Sequence, residues 1–146
     1  ISDEEGEKMN WPLNAIDFPE GNTLDWSIRL GGHHLVHVDS ADYDPSQFGA
    51  NTLHGQADVL CLCAIGWNKY RKDHPEKNYV KFMIEQFQPR YIIPCHWDKM
   101  FDPFPSQGEA KVWKLAKIKK FMEEIEKYRG EAKVVWLDVG GTFSFS

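Results

Sequence analysis

Long apolar runs are missing from this sequence. The most apolar stretch, Ala57–Ile65 (ADVLCLCAI), falls far short of the roughly 20 residues a membrane-spanning helix needs, so no membrane partner is expected. Positive charge is also in short supply. Lys and Arg number 17 against 22 Asp and Glu, a formal net charge of -5. An acidic domain gains little from a phosphate backbone, so nucleic acid is not an expected partner either. The balance does not count against a small anionic substrate held by a metal.

Cysteine is scarce: only Cys61, Cys63 and Cys95 are present. An odd count without scaffold spacing excludes a disulfide framework and points to free thiols in a reducing compartment, so a cytoplasmic location is expected. Cys61 and Cys63 lie two apart in an apolar run and share one strand face. They read as small buried residues rather than a redox pair or metal knuckle. No secretory leader, repeat or low-complexity segment is found. The first residue is Ile1 rather than Met, which gives the expectation of a processed, trimmed or partial chain.

What is present suits one folded domain. The 146 residues are 42% hydrophobic, enough for a core and outside the disordered range of composition. Residues 1–22 are acidic, then Pro-containing, and read as irregular structure docked through Trp11 and Phe18. Leu24–Leu30 reads as a strand, Gly31-Gly32 as a hairpin turn, and His33–Asp39 as the returning strand. Alternation sets Leu35 and His37 on the face opposite His34, Val36 and Val38. After a polar loop over 40–56, Ala57–Ile65 reads as a strand covered on both faces. A helix from Pro75 or Glu76 to about Gln88 and a short strand Tyr91–Pro94 follow. Beyond a Phe- and Pro-rich loop, a helix over about Glu109–Tyr128 carries the stripe Val112, Leu115, Ile118, Met122 and Ile125. Its Lys114, Lys117, Lys119 and Lys120 read as a solvated side. A strand Lys133–Leu137, a turn at Gly140-Gly141 and a strand Phe143–Phe145 close the chain. Two hairpins and two strand–helix–strand units give an α/β fold, a mixed sheet with two main helices.

In α/β sheets function gathers at the carboxyl ends of strands. Two strands here end in metal-ligand residue types, Asp39 before Ser40 and His96 after Pro94-Cys95. A carboxylate and an imidazole at neighbouring strand ends suit zinc, manganese or iron. Taken singly, each also fits a structural role, the Asp as a turn-former and the His as a hydrogen-bonded loop residue. Trp67, Trp97 and Tyr70 near the strand ends either line a substrate pocket or pack over the sheet edge. Asp98 and Asp102 follow His96 as turn residues or supports for a metal ligand, whereas His54 and His74 read as solvated loop residues.

The order of hairpin, Asp39-Ser40, the run Ala57-Asp58-Val59-Leu60 through Ala64-Ile65-Gly66, helix, and Gln88–Trp97 (QPRYIIPCHW) resembles the carboxy-terminal half of metallo-β-lactamase-fold hydrolases. The resemblance covers roughly residues 23–104 and is closest to the ascorbate-lactonase-like group. It implies half of an αββα sandwich, with Asp39 bridging two divalent ions and His96 binding the second of them. Two ions roughly 3.5–4 Å apart activate a water and polarise the carbonyl or phosphoryl group under attack. Asp58 is then a structural position. Val38 stands where the family pattern has glycine, and the family's His-x-His-x-Asp-His motif has no counterpart upstream of Asp39. His33 and His37 do not replace it, because strand rise separates them by about 13 Å. His33 and His34 read as turn and strand residues, and His37 as cross-strand packing or a support behind a ligand.

The resemblance therefore implies a metal-dependent hydrolase of a small ester, lactone, amide or phosphoester, inactive in this chain alone. It also leaves one sheet face bare. A missing amino-terminal half or a second copy is expected to cover it. The alternative is a non-catalytic, degenerate or truncated relative acting as an interaction module.

Overall fold

The computed structural model describes residues 25–41, 55–68, 78–99 and 111–146. Trp26–Leu30 (β1) and His33–Val38 (β2) form the hairpin read from the sequence. Gly31 and Gly32 both have positive φ, +58° and +84°, the conformation a two-residue hairpin turn requires and side chains resist. Val59–Cys63 (β3), helix Tyr79–Phe87 (α1), Tyr91–Cys95 (β4), helix Ile118–Tyr128 (α2) and Lys133–Val134 (β5) complete the order. The five strands lie in one mixed sheet in the order β1-β2-β3-β4-β5. β1 is antiparallel to β2, and every later neighbour is parallel.

When parallel strands follow one another in spatial order, crossovers of constant hand place their helices on one side. Both helices lie there. Val80, Met83 and Phe87 of α1 and Phe121 and Ile125 of α2 pack into one core with Val36, Val38, Leu60, Leu62 and Ile92. Asn78 caps α1 by accepting a hydrogen bond from the Lys81 amide at 3.0 Å, and its Nδ2 donates to buried Glu124 of α2 at 2.7 Å. That pair fixes the start of one helix against the flank of the other.

The opposite, outer face differs. Alternation and register align Trp26, Ile28 and Leu30 with His37, Leu35 and His33, and those with Val59, Cys61 and their β4 neighbours. Trp26, Ile28 and Leu30 are 56%, 50% and 78% exposed, so this end of the face is uncovered among the described residues. Its lower end is shielded by Phe143 and Phe145, whose rings meet Tyr91 at 4.9 and 5.8 Å.

Three expectations need correction. The helix over Glu109–Tyr128 is not continuous. Val112 bridges Asp98, and the Trp113 amide donates to the Trp97 carbonyl, so residues 111–113 are drawn into an extended pairing. A single 3-10 turn, Lys114–Ala116, then ends at Lys117, whose φ of +45° breaks the path before α2. Val112 is exposed accordingly, and Phe121, outside the expected stripe, is fully buried. Second, Phe143–Phe145 forms no strand. The Gly141 amide does close a turn on Asp138, but the two Phe rings are held by aromatic contacts, so the expected second hairpin at Gly140-Gly141 does not form. Third, the last strand is only Lys133–Val134, though the Val135 amide still donates to Ile92. Lys114, Lys117, Lys119 and Lys120 are exposed. The proposed openings of α1 at Pro75 or Glu76 and of the second helix at Glu109 lie outside the described residues, as do residues 1–22 and most of the two long loops.

Candidate functional site

β2, β3 and β4 run parallel and end side by side. Val38 is level with Leu62, Leu62 with Pro94, and Cys63 with Cys95. Continuing the register sets Asp39 beside Cys63, so Asp39, Cys63 and Cys95 form one row at the carboxyl edge, directed to the outer face. The Asp39 amide donates to Asp25 Oδ1 at 3.0 Å. Asp25 stands one residue before β1, and the hairpin returns it to the end of β2. Burial raises the Asp25 carboxyl above its ordinary range, against the lowering by the Asp39 amide; the Asp39 charge adds to the rise and His37 opposes it.

His96 directly follows β4. Plain alternation would send its side chain to the helix side. Its backbone instead adopts φ +53°, a conformation non-glycine residues seldom take, and Nδ1 comes to 3.5 Å from Cys63 Sγ. Cys63 is buried and also directs its thiol toward the Ile65 carbonyl at 3.6 Å. Its amide donates to the hydroxyl of fully buried Tyr79 at 3.1 Å. Burial pushes the Cys63 thiol up to about 11. Burial likewise raises Cys61 and Cys95, and for Cys95 neighbouring thiols reinforce it. All three are free and protonated at neutral pH, hence weak nucleophiles.

Asp39, which is exposed, and His96 thus occupy the ends of β2 and β4, two strands apart by roughly 10 Å between strand axes, with Cys63 between them. Catalytic zinc takes about three protein donors, structural zinc about four. Among the described residues no group of three or more His, Cys, Asp or Glu is arranged to hold a metal ion. The donor types fit a divalent metal. Two such donors are fewer than a zinc site takes.

The remaining candidates are placed as follows. His37 lies on the outer face opposite Trp26, and its charge opposes the rise at Asp25. Asp98 sits in the isolated bridge with Val112. Trp67 is 5% exposed, donates Nε1–H to the Ala116 carbonyl at 3.1 Å and packs on Phe121; Trp97 is equally buried and meets the tilted Trp136 ring with centroids 4.5 Å apart. Both rings belong to the core. Tyr70, Asp102, His54 and His74 lie outside the described residues. His34 is buried with both ring nitrogens engaged, Nδ1–H donating to the Gln56 carbonyl at 3.0 Å and Nε2 meeting Ser27 Oγ at 2.8 Å. Asp58 is structural: it accepts from the His34 amide at 2.9 Å and from Arg90 at 3.0 Å, and these bonds hold its carboxyl below the usual range.

A cleft of about 570 Å³ lies at the other edge of the sheet, lined by Gln88, Arg90, Tyr91, Tyr128, Arg129 and Lys133. Arg90 is committed to Asp58 and the Ser146 carbonyl, and Arg129 to Glu126 and the Ala132 carbonyl. Those guanidinium groups serve the fold, and the cleft does not displace the carboxyl edge as the candidate site. Comparison of the chain with protein-family models, curated proteins and solved structures finds no match.

Two residues of the site escape the sequence reading. Asp25 had a signal: a two-residue turn at Gly31-Gly32 fixes the pairing that sets Asp25 against Val38, next to Asp39. Cys63 had a weaker one, its place at the end of the strand between those carrying Asp39 and His96.

Proposed function

We propose that this chain contributes the Asp39 and His96 side of a divalent-metal site in a metallo-β-lactamase-fold hydrolase. The observation that carries the reading is their placement at the carboxyl ends of β2 and β4, either side of β3. An exposed carboxylate offers two hard oxygens, and His96 offers an imidazole already held at one nitrogen. Asp25 fixes the main chain at Asp39, and Cys63 stands between the two strand ends. A bound zinc, manganese or iron would lower the pKa of a water and polarise the scissile ester, lactone, amide or phosphoester. The fold hosts all four substrate classes, so the reading ends at hydrolase.

The remaining ligands come from another histidine-bearing segment, because the described residues supply too few. The exposed β1 end of the outer face supports the same reading. Trp26, Ile28 and Leu30 lie exposed at the β1 end of the face away from the helices, where a second layer would pack in half of a sandwich. The test is metal content and hydrolysis of p-nitrophenyl esters, lactones and phosphodiesters by the native protein and its Asp39→Ala variant. Metal and turnover are both expected to fall. A variant that keeps both would end the proposal.

The exposed β1 residues also favour a second reading, a non-catalytic module whose outer face binds a second copy or another sheet. Sedimentation of this chain as a stable monomer at high concentration would count against it.

A further inference from the structure

Cys63 is the buried group that touches both strand ends of the site. Its sulfur lies 3.5 Å from His96 Nδ1 and accepts a main-chain hydrogen bond from Ala41, two residues beyond Asp39. Its own proton has a separate acceptor in the Ile65 carbonyl, 3.6 Å away. A thiol that donates to Ile65 presents lone pairs to the other neighbours, so a ring N–H, rather than a bare ring nitrogen, suits the position facing it. The left-handed backbone of His96 brings Nδ1 there, against the direction strand alternation would give.

We propose that Cys63 is a positioning residue: its sulfur accepts from His96 Nδ1–H, fixes that tautomer, and leaves Nε2 unprotonated as the outward donor. Its meaning for chemistry rests on the reading of His96 as a metal ligand. The hydrogen bond itself does not. Neutral imidazole has one donor nitrogen and one acceptor nitrogen, and the partner of the first decides which is free to bind. The same sulfur ties the Ala41 main chain to the imidazole, so β3 sets the spacing between the two ligand-bearing ends.

The test is long-range proton–nitrogen NMR of the metal-free 146-residue chain with labelled histidine, at a pH where imidazole is neutral. His96→Gln assigns the signal among the six histidines. The expected wild-type spectrum has a pyrrole-type Nδ1 and a pyridine-type Nε2 at His96. Cys63→Ala should convert this to an averaged pair, and Cys63→Ser, which keeps an acceptor there, should restore it at least in part. A wild-type His96 protonated at Nε2 would overturn the inference without need of any variant that folds. So would an unchanged spectrum in a folded Cys63→Ala. Zinc added to the native protein with its remaining ligands separates the two ideas: if it leaves the His96 signals in place there, the metal reading fails, whereas the tautomer result stands on the metal-free spectrum.

Discussion

Asn78 does two jobs with one side chain, and replacing it separates them. Its Oδ1 accepts from the Lys81 amide and caps α1, and its Nδ2 donates at 2.7 Å to Glu124, a carboxyl only 6% exposed on α2. Loss of an N-cap costs about 1 kcal/mol, and loss of a hydrogen bond to a charged group about 1.5–3 kcal/mol. Asn78→Ala should therefore lower stability by about 2.5–4 kcal/mol. Asn78→Ser keeps a good cap but is too short to reach Glu124, and should lose only the second contribution. Asn78→Asp keeps the cap but sets a carboxylate against Glu124 in place of a donor, and should be less stable at neutral pH than Asn78→Ser. Urea unfolding measures each, with the midpoint moving at constant slope. If Asn78→Ala loses less than ~0.5 kcal/mol, or Asn78→Ser matches wild type, the bond to Glu124 does not join the helices as described.

Three other outcomes follow from the same geometry. Tyr79→Phe keeps the ring but removes the acceptor for the Cys63 amide, and should cost about 1–3 kcal/mol with a fall in Tm of roughly 2–4 °C per kcal/mol. A wild-type melting curve would contradict it. The Asp58 carboxyl is held below its ordinary value of 3.8, so its stabilisation is complete above that pH and is lost as pH falls through the folded value. Asp58→Asn should thus be less stable than wild type at neutral pH, with the difference closing in acid; a constant difference down to the acid transition would refute this. With its thiol near 11, Cys63 should react with alkylating agents at pH 8 on the order of a hundredfold or more slowly than an unperturbed cysteine. Peptide mapping after timed labelling checks it, and prompt modification of Cys63 would show the strand end to be open.

The local pattern carried the sheet well and the second helix poorly, for physical reasons. The Gly31-Gly32 turn fixes a register, and the continuous apolar run around β3 records burial on two faces, so both are visible in a short window. Ala57 falls outside β3, its amide donating to the Phe87 carbonyl at the end of α1. The break before α2 depends on Trp113 pairing with Trp97 and on Lys117 in a left-handed conformation, and neither is announced by a Gly or Pro. The stretch Val112–Lys120 has helical composition throughout, so tertiary hydrogen bonds overrode propensity. At the site, Asp39 and His96 are legible as strand-end residues of the right chemical type. The turn of His96 onto Cys63 is not, since it reverses the alternation that reading a strand relies on.

The central claim is that Asp39 and His96 bind one kind of ion together, and an optical titration with cobalt(II) tests it most directly. The wild-type native protein, Asp39→Ala and His96→Ala should be compared at equal concentration, with zinc displacing the cobalt at the end. The expected result is a ligand-field spectrum in the wild type that zinc abolishes and that weakens or vanishes in both variants. A spectrum unchanged by either substitution, or no cobalt binding in the wild type, would contradict the claim and leave the outer face of the sheet as the surface to pursue.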